Sequence, residues 1–146
     1  MGIKDTTYLK KLIFVDVDGT ICTAGRIPHK EFKDIPEDYL DVKPFLDRIK
    51  HINSLYDDGK YTIVYWTARG CKSGLIDPLY DLTKKQLKDW GAKFHDLQVG
   101  NKPHFDMYIC DKSFNSDVYF DGLPINPDMV KKGIFSKRAH YQLEND

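Results

Sequence analysis

The stretch KLIFVDVDGT, from Lys11 to Thr20, decides the fold that this sequence predicts. Its first half, up to Val15, is apolar and rich in branched side chains, which is typical of a buried strand. Its second half turns polar at once, which indicates that the strand ends in a loop. A buried strand that ends in acidic side chains is typical of α/β sheets, where ligands bind beyond the carboxyl ends of the strands.

The segments that follow alternate between helix-like and strand-like patterns. Pro44 begins a run of apolar residues at helical spacing that stops at Gly59, and Asp77, as an N-cap before Pro78, predicts a second helix that stops at Gly91. Three further apolar runs predict strands: Tyr61–Trp66, Phe94–Val99 and Met107–Cys110. This order predicts an α/β fold with a Rossmann-like, doubly wound and mainly parallel sheet, helices on both faces and right-handed crossovers.

The remaining segments leave little room for a second domain. Residues 22–43 show little periodicity and predict a loop or small hairpin, that is, a short flap after the first strand. Residues 69–101 are used mostly by the second helix and the third strand, so we expect no cap domain in either gap. Met129–Phe135 predicts a short helix near the end of the chain. We therefore expect a single domain over residues 1–146.

Composition excludes several classes of protein. The chain has 146 residues with 22 basic and 22 acidic side chains, so its formal net charge is zero. A general nucleic-acid binder would carry an excess of Lys and Arg, which makes nucleic acid an unexpected partner. No apolar run approaches the roughly 20 residues of a membrane span, and the first residues lack a signal-peptide pattern, so we expect a cytoplasmic protein without a membrane partner. The three scattered cysteines fit free thiols better than disulfides or zinc ligands.

Polar residues follow the predicted strands and are expected to gather at one edge of the sheet. Asp16 and Asp18 follow the first strand, Thr67 follows the second, and Asp111 follows the last. Two close carboxylates disfavour double ionisation unless a cation or a proton intervenes, and a site of hard oxygen ligands suits Mg²⁺. Lys102 and Thr67 would supply a charge and a hydroxyl for phosphate oxygens. This set of groups fits phosphoryl transfer, which depends mainly on positioning and charge neutralisation.

These motifs resemble those of the haloacid dehalogenase-like hydrolases. DVDGT, which begins at Asp16, is similar to the first motif of that superfamily, and Thr67 at the end of YTIVYWT is similar to the second. Lys102 and the run that ends at Asp111 occur where the third and fourth motifs are expected. The resemblance implies that Asp16 attacks phosphorus to form an aspartyl phosphate, and that Asp18 protonates the leaving group and then activates water.

The same resemblance implies the remaining ligands of the site. Thr67, Ala68 and Lys102 would hold the phosphoryl group. Mg²⁺ would be bound by Asp16, by the main-chain carbonyl of Asp18 and by Asp111.

The stretch VGNKPHFDMYICDKS, residues 99–113, is similar to small phosphatases of bacterial capsule and surface-sugar synthesis. That similarity implies a sugar phosphate or a similar small phosphorylated metabolite as substrate. Two residues depart from the pattern: Asn101 is inserted between Gly100 and Lys102, and Cys110 replaces an acidic residue. The substrate's far end is expected to meet basic side chains at Arg69, Arg26 and Lys112.

Several alternatives stay open. An open site without a cap suits a neighbouring subunit as a lid, so a homo-oligomer is one expectation. A nucleotide or polynucleotide phosphatase is the alternative substrate class, because Trp66, Tyr39 or Phe32 would offer a stacking face. A receiver-like or inactive phosphate-binding module is the alternative of another class, although a receiver domain carries its phosphorylated Asp on a middle strand. The sequence also leaves open whether the ion is supported by further side chains at Asp106, Asn115 or Asp117.

Overall fold

The computed structural model of the chain describes residues 10–25 and 31–122. The strands are β1 (Lys11–Val15), β2 (Tyr61–Thr67) and β3 (Asp96–Val99), and the helices are α1 (Leu46–Asp58), α2 (Ile76–Asp89) and α3 (Ser116–Asp121). The strands form a parallel sheet in the order β1-β2-β3, in which Val15 lies beside Tyr65 and Thr67 lies beside Val99. The carboxyl ends of the strands therefore meet at one edge. Arg26 and the predicted helix Met129–Phe135 lie outside the described residues.

The main core cluster lies on one face of this sheet, and Thr62 and Val64 of β2 are buried on the other face. The strand residues of the main core cluster point to the same face, because side chains alternate along a strand: they are Val15, Ile63, Tyr65 and Leu97, with Ile13 packed against them. Ile49 and Ile52 of α1 and Leu87 of α2 belong to the same cluster, so both helices cover that face. Both of these helices lie on the same face, so the prediction of helices on both faces stays a prediction. The two crossovers move across the sheet in the same direction, and right-handed crossovers of that kind place their helices on the same side.

The predicted strand over residues 107–110 is wrong. Met107, Tyr108 and Ile109 are exposed and belong to no strand, and Ile109 is 86% exposed. Among the described residues, β1 pairs with β2 alone and has no strand on its other edge. The apolar run gave this segment a strand propensity, but a strand also needs a partner, which is supplied by tertiary structure.

The predicted end of α1 is confirmed, whereas the predicted start of α2 is wrong. Gly59 ends α1 in a left-handed conformation (φ 81°), as its position in the sequence predicted. The second helix begins two residues before Pro78, and Asp77 lies inside its first turn instead of capping it. A proline is tolerated throughout that turn, because the first backbone N–H groups of a helix have no acceptor within it.

The flap is closed at its base and fastened to the loop after β2 through Asp34. The Thr23 backbone N–H donates to the Lys43 carbonyl, and the Lys43 N–H donates to the Thr23 hydroxyl, both at 2.9 Å. The described part of the flap contains a 3₁₀ turn, Pro36–Tyr39. Asp34, just before this turn, accepts hydrogen bonds from the loop after β2. The flap is thereby fastened to the edge of the sheet where the strands end.

Candidate active site

A tight turn after β1 places the two leading aspartates. Gly19 adopts a left-handed conformation (φ 84°), which a glycine reaches without steric cost, and its N–H donates to the Cys22 carbonyl at 2.8 Å. The Thr20 hydroxyl reaches back to Asp16 Oδ2 at 3.2 Å. The turn therefore explains why DVDGT needs its glycine and its threonine: one allows the reversal, and the other holds a carboxylate.

Asp16 and Lys102 meet although 86 residues separate them in the chain. Lys102 Nζ lies 3.1 Å from Asp16 Oδ1, and 40% of the Asp16 side chain is exposed, against 12% for Lys102. Desolvation raises the pKa of the Asp16 carboxyl above its ordinary value; Lys102 opposes this shift, and the charge of Asp18 adds to it. Asp16 is thus a carboxylate that solutes can reach, held between a cation and a hydroxyl.

The loop after β3 delivers Lys102 and also fixes an aromatic ring. Gly100 is left-handed (φ 88°), and a Cβ at this position would collide with the Ile76 side chain. The side chain of Asn101 accepts a hydrogen bond from the Trp66 indole at 3.0 Å. Lys102 Nζ lies 5.1 Å from the centre of the Trp66 ring, within the range of a cation–π contact. The inserted asparagine therefore has a structural role, which is to orient the tryptophan beside the lysine.

Thr67 and Ala68 lie at the carboxyl end of β2, one strand away from Asp16. Thr67 is 1% exposed, and its hydroxyl accepts the Arg69 backbone N–H at 3.1 Å. A hydroxyl that accepts one bond can still donate another. Ala68 is half-buried. The structure thus puts the predicted phosphate-binding groups at the same edge of the sheet as Asp16 and Lys102.

Arg69 is placed differently from the substrate contact that we expected. Its side chain is fully buried and forms a two-pronged ion pair with Asp18, at 2.9 Å from Nε to Oδ2 and 2.8 Å from Nη2 to Oδ1. Burial alone would lower the pKa of the guanidinium, but the charge of Asp18 outweighs it and the pKa lies above its ordinary value. The sequence shows a basic residue near the site, but the direction of its side chain is decided by Asp18, which lies 51 residues earlier in the chain.

The Cys22 thiol lies against the same carboxylate. Cys22 is fully buried, and its Sγ lies 3.6 Å from the Val17 carbonyl oxygen and 3.6 Å from Asp18 Oδ1. Burial raises the pKa of this thiol well above its ordinary value, and the charge of Asp18 adds to the shift. Cys22 is therefore a protonated core residue, in line with the expectation of a structural thiol.

Asp111 and Lys112 do not follow a strand in the described structure. Both are exposed in a turn after the segment that failed to form a strand. Among residues 10–25 and 31–122, no three Asp, Glu, His or Cys side chains come together as a group that could hold a metal ion. The predicted magnesium site of Asp16, Asp18 and Asp111 therefore stays a prediction, and the strand that was expected to carry its third ligand is absent from the described residues.

Asn115 and Asp117, two of the three residues considered as further supports for the metal ion, have structural roles. The Asn115 side chain caps α3, accepting the backbone N–H groups of Asp117 and Val118. Asp117 is buried and pairs with Arg48 at 3.0 Å. Asp106 is exposed.

Sequence reasoning missed the buried arginine of α1. Arg48 is 1% exposed, pairs with Asp117 and Asp121 of α3, and donates to the Thr20 carbonyl of the DVDGT turn at 2.9 Å. It lies three residues after Phe45, on the apolar face of its helix. A charged residue on an apolar helix face is the signal that would have indicated a buried ion pair.

Comparisons with known proteins bear on the fold. No family model and no curated protein matches the chain. A target protein from Vibrio cholerae, known as a crystal structure, is similar in fold with a TM-score of 0.57 at 21% sequence identity, over 84% of this chain and 95% of that one. Among the described residues, every helix is too short or too polar to span a bilayer. The chain is thus a small α/β protein with a parallel sheet, compatible with a Rossmann-like fold.

Proposed function

We propose that this protein hydrolyses phosphomonoesters, with Asp16 as the nucleophile. The observation that carries the proposal is the placement of Asp16: a solvent-accessible carboxylate, held by Lys102 and Thr20 at the carboxyl edge of a parallel sheet. A dianionic phosphate approaching Asp16 would meet the ammonium of Lys102 and the end of β2. This combination of nucleophile and cation fits phosphoryl transfer, in which positioning and electrostatic stabilisation supply most of the rate.

The proposed reaction has two steps. In the first, Asp18 starts in its protonated form; an Asp16 oxygen forms a bond to phosphorus as the bond to the ester oxygen breaks, and the leaving oxygen takes the Asp18 proton. In the second, water attacks the aspartyl phosphate, gives its proton to Asp18, and releases Asp16 and inorganic phosphate. Lys102 and the groups at Thr67 would hold the phosphoryl oxygens in both steps.

Mg²⁺ dependence is part of the proposal. The described residues offer Asp16 and the main-chain carbonyl of Asp18 as hard oxygen donors, whereas the Asp18 carboxylate is engaged by Arg69. Sites for Mg²⁺ often use one or two carboxylates together with substrate phosphate oxygens. When bound, the ion would offset the charge that develops on those oxygens.

A sugar phosphate or similar small metabolite stays the proposed substrate, and one feature favours the alternative class of nucleotides. Phe105 and Tyr108 are 43% and 58% exposed, their rings lie 5.4 Å apart, and Lys102 Nζ lies 5.8 Å from the centre of the Phe105 ring. With Trp66 they form an aromatic border beside Lys102 that could stack on a base.

A substrate panel tests the proposal. The full chain is assayed with Mg²⁺ against sugar phosphates, nucleoside monophosphates and an aryl phosphate, alongside D16N as the control. We expect turnover by the natural sequence and none by D16N. Activity of D16N equal to that of the natural sequence would refute the nucleophile, and a kcat/KM for nucleotides at least about tenfold above every sugar phosphate would replace the substrate class.

A further inference from the structure

The Asp18 carboxylate is held by a buried arginine. Arg69 donates to both of its oxygens, and only 20% of the Asp18 side chain is exposed, against 0% for Arg69. A two-pronged guanidinium contact fixes the plane of a carboxylate as well as its position. The orientation of Asp18 is therefore set by a residue 51 positions away in the chain.

Arg69 is itself held on its other sides. Its Nη1 donates to the Thr83 hydroxyl at 3.0 Å and to Gln86 Oε1 at 2.6 Å, both from α2. The Tyr39 ring of the flap lies under the guanidinium, 4.4 Å from its central carbon. Because Nε, Nη1 and Nη2 all have protein partners and the side chain is buried, Arg69 is not placed to bind a substrate directly.

We propose that Arg69 is a positioning residue for Asp18, and that α2 and the flap keep it in place. This inference rests on the proposed function, in which Asp18 moves a proton in both steps. Proton transfer requires the carboxylate within hydrogen-bond reach of the ester oxygen and of the attacking water. Without the guanidinium fork, Asp18 would rotate among its rotamers and spend less time in the productive one.

The test is a double-mutant cycle between R69K and D18N, measured as turnover of an aryl phosphate by the full chain. Lysine keeps the charge but lacks the fork, so R69K is expected to lower kcat by about tenfold or more and to change KM by less than about threefold. In the D18N background, R69K should change kcat by less than about twofold, because its route of action is already removed. The aryl phosphate has a leaving group that needs little protonation, which keeps D18N measurable.

The matched control is R48K, a second buried arginine whose ion pairs are with Asp117 and Asp121 rather than with Asp18. Urea unfolding of both variants measures how far each loses stability. Any change in kcat caused by R48K should be the same factor in the natural background as in the D18N background. Equal factors for R69K in the two backgrounds, or an effect of R69K on KM alone, would overturn the positioning role.

Failure of the proposed function gives a different result. It would appear as a natural sequence that is inactive on every substrate of the panel, and the positioning role would then fall with it. The cycle between positions 18 and 69 in urea unfolding would still show coupling in that case, since the ion pair does not depend on activity. An active natural sequence without coupling in kcat would reject the inference alone.

Discussion

Replacing Asp34 should detach the flap from the loop after β2 and lower the stability of the whole protein. Asp34 is 2% exposed, and its Oδ1 accepts the Gly70 N–H at 2.9 Å and the Tyr39 hydroxyl at 2.6 Å. Its Oδ2 accepts the N–H groups of Lys72 and Ser73 at 3.0 and 3.1 Å. With the Ser73 hydroxyl, which donates to Oδ2 at 3.3 Å, one carboxylate thus satisfies five donors from the flap and the loop after β2.

The size of the effect follows from which donors water can reach. Gly70 and Tyr39 are buried, so both would lose their acceptor in D34A, whereas Lys72 is exposed and its N–H would be hydrated. At about 1.5–3 kcal/mol for each of these two hydrogen bonds to a charged group, D34A should lower the free energy of unfolding by about 3–6 kcal/mol. D34N keeps one oxygen acceptor and should lower it by about 2 kcal/mol. The left-handed backbone at this position (φ 58°) is tolerated by Asn as well as by Asp, so the amide variant isolates the charge.

The pH dependence has a definite sign. Burial by itself raises the pKa of the Asp34 carboxyl, but the bonds from Gly70, Tyr39, Ser73 and Lys72 outweigh it and hold the pKa below its ordinary value of 3.8. The ionised form therefore stabilises the folded state above the unfolded pKa, and this contribution is lost as the pH falls through the folded pKa. The difference between the natural sequence and D34N should be constant between about pH 5 and pH 8 and should shrink below about pH 4.

Urea unfolding followed by circular dichroism measures these differences. D41N is the matched control, since Asp41 is an exposed carboxylate in the same flap, and it should change stability by less than about 0.5 kcal/mol. A D34N protein as stable as the natural sequence at neutral pH would refute the reasoning. So would a difference that grows as the solution becomes more acidic.

D16N should keep the circular dichroism spectrum of the natural sequence and lose turnover by at least about a thousandfold, because an amide cannot act as the nucleophile. A beryllofluoride adduct of the natural sequence that maps to a residue other than Asp16 would contradict this role. K102M should raise the pKa of Asp16, because Lys102 lowers it, and D18N should lower that pKa, because the charge of Asp18 raises it. Titration of the Asp16 carboxyl carbon by NMR measures both shifts. Shifts of the same sign would contradict the opposite roles of Lys102 and Asp18. Excess chelator should abolish phosphatase activity and added Mg²⁺ should restore it, so full turnover in the chelator would end the metal proposal.

Local patterns in the sequence determined most of the regular structure. The apolar runs of β1 and β2 and the glycine after α1 were predicted within a residue or two, because strand propensity and left-handed helix caps depend on neighbouring residues alone. Motif order also singled out Asp16 and Lys102, which the structure brings to 3.1 Å. Chain order in a parallel sheet is enough to place such residues at a common edge.

The tertiary structure alone decided which groups meet and which faces are covered. Within the described part of the chain, residues 107–110 have a strand-like sequence but do not pair with the open edge of β1. Arg69 turns inward to Asp18, and Asp34 ties the flap to a loop 36 residues further along. These three features share one physical reason. A strand pair, a buried ion pair and a carboxylate that accepts distant N–H groups all depend on partners far away in the chain. A local sequence pattern does not specify such partners.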